Sequence, residues 1–193
     1  MEYTDEKIVL LKMEQREQQM EMSLEDGYYI NGKLEQFSLT KLFDEQISVY
    51  LPQTFVDMPE QISALKYPSS FRPQIIKTNL ECNVNFLFNI LDNPDRLTTK
   101  QAANSFRQVL AKTNPAMKIN EIKAEKKGEV LDIICFDFIS YGVDEQIYNF
   151  MCLVAFGGTI LQGVFNCQES SRFDWKNAVR EVFLNLKINS KRC

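Results

Sequence analysis

Two carboxylates interrupt apolar runs in this sequence: Asp132, between Leu131 and Ile133, and Asp137, between Phe136 and Phe138. A paired-carboxylate site needs its two groups side by side. Residues five apart on one strand point to opposite faces, so these two cannot form such a site with each other. Each is expected to face an open part of a sheet or to answer a Lys or Arg, because buried acids are rarely left unpaired. The chain has no histidine at all. That absence removes Ser-His-Asp and Cys-His nucleophile pairs and imidazole metal ligands, and leaves acid–base work to carboxylates, Lys, Tyr or Cys with displaced pKa values. Asp132, Asp137 and Tyr148 are therefore the candidates for any carboxylate- or phenol-based pocket between sheet and helix. Gly157-Gly158-Thr159 lacks the lysine and the spacing of a P-loop, and GxGxxG is absent. No catalytic residue, metal site or cofactor is assigned.

Binding chemistry has better candidates. Tyr67, Phe71 and Arg72 lie on a loop punctuated by Pro68 and Pro73, and are of the residue types enriched in binding hot spots. The opposing reading is that they pin the loop onto a sheet. Asn79, Asn83, Asn85 and Asn89 offer a hydrogen-bonding row on the neighbouring strand, and Lys118, Lys123, Lys126 and Lys127 form a small basic patch. Lysines of that kind more often protect a solvated sheet edge than bind RNA. The net charge of −4 and a pI near 5.1 supply no broad field for nucleic acid or anionic lipid. Cys82, Cys135, Cys152, Cys167 and Cys193 are odd in number, widely spaced and without a CxxC pair. Reduced, buried thiols in a cytoplasmic protein are expected, with Cys193 exposed. The N-terminal segment is unlike a secretory signal, and no apolar stretch reaches the ~20 residues of a spanning helix.

These side chains must be positioned by a folded body, and charge suggests where it starts. Residues 1–35 carry nine acids and four bases, whereas residues 36–193 are nearly neutral at +1. An acidic leader, partly helical or disordered, is expected over 1–35, and one domain over 36–193. Within the leader, Asp26-Gly27 and Asn31-Gly32 flank Tyr28-Tyr29-Ile30, which reads as a short hairpin or a linker. Period-two alternation places two short strands around an Asp44-Glu45 turn, and Pro59 starts a helical turn or two. Strands follow at Ile75-Ile76 and Val84–Ile90. A helix capped by Thr98 or Thr99 runs to Thr113. Four strands come next in series, Met117–Lys126, Glu129–Tyr141, Glu145–Phe156 and Thr159–Cys167, and their short connections force antiparallel neighbours. Gly163 is read as a bulge or a close approach to the last helix, which Ser170 or Ser171 caps and whose stripe runs from Trp175 to Leu186. The sum is an α+β protein, an antiparallel sheet of about six strands with helices on both faces in a three-layer α/β/α sandwich.

Several strings in that order resemble the PsbP/DcrB-like superfamily, which includes the Mog-type Ran-binding import factor. They are Ile47-Ser48-Val49-Tyr50-Leu51-Pro52 leading to Phe55, Lys66-Tyr67-Pro68, Arg72-Pro73-Gln74-Ile75-Ile76, Val84-Asn85-Phe86, Gly163-Val164-Phe165-Asn166-Cys167 and Asn185-Leu186-Lys187-Ile188. The resemblance spans about residues 36–188. It implies a sheet between helices and a binding, chaperone or assembly role. The leading expectation is thus a non-enzymatic, cytoplasmic protein-binding module, an adaptor or chaperone-like factor with another protein as partner. A small-molecule binder or carboxylate-based enzyme is the alternative, and a subunit assembled into a homo-oligomer through the leader is a third reading.

Overall fold

The computed structural model describes residues 7–9, 22–68, 72–120, 123–126, 132–142 and 145–189. The first strands, β1 (Tyr28–Ile30) and β2 (Lys33–Glu35), form a two-stranded hairpin. Asn31 and Gly32 turn it with φ of 51° and 73°, the left-handed values that suit an Asn-Gly turn between twisted strands. Leu24, Tyr28 and Ile30 are buried in the main core, so the packed body takes in residues on the acidic side of the charge boundary. Residues 1–6 and 10–21 lie outside the described residues, and with them most of the predicted leader.

Next come β3 (Phe37–Leu42) and β4 (Ile47–Pro52), paired antiparallel around the predicted Asp44-Glu45 turn. The short β13 (Lys187–Ile188) adds to the other edge of β4, giving a separate three-stranded sheet. The principal sheet has eight strands, all antiparallel to their neighbours, in the order β5 (Val56–Asp57), β6 (Ile75–Thr78), β7 (Asn85–Asp92), β12 (Thr159–Gln168), β11 (Gln146–Phe156), β10 (Asp132–Tyr141), β8 (Lys118–Ile119). The eighth, β9 (Lys123–Lys126), also pairs with β10. The expectation of a single sheet of about six strands is corrected in two ways. Two-residue strands extend the sheet, and the Met117–Lys126 strand is two pieces separated by residues 120–122.

Alternation along β10 sets the two faces. Ile133, Cys135 and Ile139 join a core with α3 (Arg172–Leu184), the small sheet and the hairpin; Ile134, Phe136 and Phe138 join a second core with Ala102, Ala103 and Phe106 of α2 (Thr99–Thr113). Both parities are apolar because both are covered. A third cluster packs Ile62 of α1 (Glu60–Lys66) over Ile76 and Leu87. Thr98 caps α2 in a full capping box with Gln101, as expected. Ser171 occupies the N-cap position of α3, but its side chain makes no capping bond, because a 3-10 turn over Glu169–Ser171 leads into the helix.

Gly163 faces α3, and a Cβ built there would lie 2.4 Å from Phe183 Cε1. The predicted close approach to the last helix is present, and it is made by a ring stacked on Phe150 at 5.8 Å between centroids. Cys82, Cys135, Cys152 and Cys167 are buried and form no disulfide among the described residues, and Cys193 lies outside them. Burial pushes the Cys167 thiol up from 9.0 to about 12, with the charges of Asp174 and Glu169 adding to the shift. The Tyr28 phenol rises from 10.0 to about 12, through burial first and the Glu181 charge second. Both groups therefore hold their protons longer folded than unfolded. The stability these two groups contribute is full below about pH 9 and is lost as pH rises towards about 12, because the unfolded chain releases these protons first. Urea midpoints should stay level up to about pH 9 and drop above it, and Cys167→Ala should delay the onset; a level profile to pH 11 contradicts this.

Candidate functional site

Three regions carry polar groups in arrangements that packing alone does not require. The first is the predicted binding loop. Tyr67 ends α1 with φ −125° and ψ 70°, since the following Pro68 disfavours helical backbone before it. Its side chain is half-buried, and its hydroxyl accepts from Asn166 Nδ2 at 3.4 Å. Burial raises the Tyr67 phenol above its ordinary value, while the Asn166 bond acts the other way. Asn166 in turn accepts from Asn85 Nδ2 at 2.8 Å, and Thr78 Oγ1 donates to Asn85 Oδ1 at 2.6 Å. Arg72 Nε donates to the Tyr67 carbonyl at 2.9 Å. Lys66 Nζ donates to the Cys82 carbonyl, tying the end of α1 to the turn between β6 and β7. Tyr67 and Arg72 are thus brought together, and each is engaged by a hydrogen bond within the fold. Phe71 lies outside the described residues.

The asparagine row divides. Asn85 and Asn89 stand on the sheet, with Asn89 Nδ2 donating to Gln162 Oε1 at 2.9 Å. Asn79 and Asn83 instead shape the β6–β7 turn, where Asn79 Oδ1 accepts from the backbone N–H groups of Asn83 and Val84 at 3.0 and 3.1 Å. Lys118 is exposed on the short edge strand β8; β9 carries Lys123 and Lys126, and Lys127 lies outside the described residues.

The second region surrounds Asp137, buried on the α3 side of β10. Asn120 Nδ2 donates to Oδ1 at 2.6 Å and the Tyr148 hydroxyl donates to Oδ2 at 3.2 Å. The guanidinium of Arg172 and the ammonium of Lys176 lie 3.5 and 3.8 Å from the same oxygen. Arg172 also stacks over the Tyr148 ring at 5.0 Å from its centroid. Tyr148 is fully buried, and burial followed by the adjacent Asp137 charge pushes its phenol far above its usual range. This is the Lys or Arg answer expected for a buried acid, supplied by residues one turn apart on α3. Asp132 is exposed at the start of β10.

The third region was not foreseen. A cavity of about 360 Å³ lies where the β1–β2 hairpin, the turn at Thr54-Phe55, the β6–β7 turn and the first turn of α3 meet. Lys33, Glu35, Glu81, Phe55 and Trp175 are among its walls. Trp175 is 3% exposed, and its indole N–H has no acceptor on any described residue. Four separate segments build this cavity, so no local motif announces it. A second, shallower cavity lies between Arg96 and the Gly157-Gly158 turn. Asp132, Asp137 and Tyr148 line neither.

An antiparallel sheet packed against the C-terminal helix α3 in one core and against α2 in another has a PsbP-like α+β fold, as the sequence strings implied. The solution structure of cyanobacterial PsbP (CyanoP) from Synechocystis superposes with a TM-score of 0.61, covering 82% of this chain and 96% of that one at 9% identity. LpqN, involved in cell envelope biogenesis of Mycobacterium tuberculosis, superposes with a TM-score of 0.54, covering 84% and 95% at 13% identity. No family model and no curated protein sequence matches the chain. Among the described residues, no helix is long and apolar enough to cross a membrane.

Proposed function

We propose that the chain is a non-enzymatic protein-binding module of the cytoplasm, an adaptor or chaperone-like assembly factor that receives a segment of another protein beside α1. The observation that carries this reading is a pair of exposed apolar side chains on two elements that a hydrogen bond holds together. Leu65 on α1 and Leu80 on the β6–β7 turn are 82% and 83% exposed, the highest values among the large apolar residues described. The Lys66–Cys82 bond bridges their two elements, and Tyr67 and Arg72 are themselves engaged by bonds to Asn166 and to the Tyr67 carbonyl. A surface already ordered loses less entropy on binding, so its apolar contacts count for more.

The titratable groups also favour binding over catalysis. Tyr28, Tyr67, Tyr148 and Cys167 all shift upward, away from neutrality, whereas a general acid or base works best near the operating pH. Buried thiols that form no disulfide among the described residues suit a reducing compartment.

Affinity capture with the full chain is expected to recover one stoichiometric protein partner, identified by mass spectrometry. Its binding should weaken about tenfold or more in a Leu65→Glu, Leu80→Glu double variant and in Arg72→Glu, with the melting temperature unchanged. Equal binding by all variants would place the interface elsewhere, and failure to find any stoichiometric partner would sink the reading.

A further inference from the structure

We propose that β3 is a dimerisation edge, along which a second copy of this chain pairs antiparallel with Leu39 opposite Leu39. β3 is the outermost strand of the small sheet, and among the described residues it pairs with β4 alone. Its hydrogen bonds to β4 come from alternate residues. The Gln53 N–H donates to the Gln36 carbonyl at 2.9 Å, which puts Ser38, Thr40 and Leu42 in the bonded pairs that follow. Pro52, which has no N–H to give, sits opposite Phe37 in a pair that needs none. The N–H and C=O groups of Phe37, Leu39 and Lys41 therefore point away from β4, and no described group bonds to them.

Proteins blunt the outer strands of their sheets against foreign pairing by keeping them short or charged, above all with lysine. The other outer strands described here follow that rule: β5, β8 and β13 have two residues each, β1 and β2 have three, and β9 carries Lys123 and Lys126. β3 does not. It has six residues, no proline and an unbroken register with β4, and its one lysine, Lys41, is held by Glu45 at 2.9 Å.

The occupant follows from the symmetry of the edge. In a two-fold pair the same patch must complement itself. With Leu39 on the axis, Leu39 faces Leu39 and Phe37 faces Lys41 on either side, so every outward N–H and C=O gains a partner. A shift of two residues in either direction leaves one outward residue of each copy unmatched. No like charges meet, because the only charged residue of β3 falls opposite an aromatic one. Leu39 is 48% exposed in the single chain. Directly opposite residues share a face, so Tyr50 and Leu39 continue into Leu39 and Tyr50 of the second copy as one apolar row across four strands.

Sedimentation of the full chain from about 1 to 200 μM should show the mass rising from 22.5 kDa towards twice that value. Leu39→Pro removes a donor that the monomer does not use, and should weaken the dimer about tenfold or more in a chain that stays folded by circular dichroism. A second pair of variants guards against misfolding of the first. Leu39→Lys and Leu39→Glu each set like charges face to face across the axis and should each dimerise about tenfold more weakly than the parent, whereas their mixture should recover a heterodimer. The proposal is overturned if the parent stays monomeric over this range, if both charged variants dimerise like the parent, or if mixing them restores nothing. β3 belongs to the small sheet, whereas Leu65 and Leu80 stand beside the principal one, so none of these results decides whether a protein partner is captured there.

Discussion

Gly163→Ala is expected to destabilise the protein by about 2–3 kcal/mol, a large share of the stability of a domain this size. The new methyl carbon would sit 2.4 Å from Phe183 Cε1. Phe183 cannot easily swing away. It is fully buried, stacked on Phe150 and flanked by Phe86 and Phe88 at 6.1 and 6.3 Å between ring centroids. Relief must therefore come from moving α3 off β12, which loosens the same helix that carries Trp175 and Arg172. Chemical denaturation should show a lower midpoint at constant slope. Phe183→Leu makes room, so in a double-mutant cycle the pair should cost less than the sum of the singles. A loss below about 0.5 kcal/mol for Gly163→Ala would mean that the helix–sheet contact is softer than described.

Asp137→Ala should cost a comparable amount, about 2–4 kcal/mol, for the opposite reason: it removes a partner where Gly163→Ala adds bulk. The variant strands the Tyr148 hydroxyl and withdraws the carboxylate that lies beside the Arg172 guanidinium. The Arg172 and Lys176 side chains remain 21% and 43% exposed, so water offsets part of the loss and the upper values for fully buried pairs do not apply. Asp137→Asn, which keeps an acceptor and a similar shape, should cost less than Asp137→Ala. If the two variants are equally stable, the acceptor and the volume that Asn retains contribute nothing here; if neither loses more than about 0.5 kcal/mol, the Asp137 carboxylate does not hold the site together. Neither substitution touches the surface proposed to bind a protein, so partner capture should survive wherever the fold does.

The central strands were legible because their signals are local. In β11 and β12 the apolar runs end at recognisable turn residues, and the observed bounds differ from the expected ones by a residue at most. The two-sided apolar pattern of β10 correctly indicated cover on both faces. Strands of two residues, such as β5, β8 and β13, carry no period to detect, and so the size of the sheet was underestimated. The alternation in β3 and β4 revealed strands but not their sheet, because that depends on β13, about 140 residues later.

The functional regions follow the same division. A buried Asp137 could be read, along with its need for a cation, since an acid inside an apolar strand is an exception that demands an answer. Arg172 could not be singled out, because its role depends on how α3 lies across the sheet. Its four-residue spacing from Lys176 was the available hint, placing both cations on one helical face. Tyr67 and Arg72 stand on either side of residues 69–71, and the hydrogen bond between them follows from that nearness in the chain. The Trp175 cavity was invisible in the sequence because it exists only where four segments converge.

Pairing of β13 with β4 has a consequence for the order in which the molecule can be assembled. During synthesis β3 and β4 are made early, yet β4 keeps one open hydrogen-bonding edge until Lys187 and Ile188 have left the ribosome. At ordinary elongation rates of about 5–20 residues per second, the ~135 residues between β4 and β13 leave that edge open for many seconds. An unpaired edge is a template for a foreign strand. The nascent chain therefore carries an unpaired β4 edge through most of its synthesis, and β13, the last described strand, covers that edge at Ile47 and Ser48.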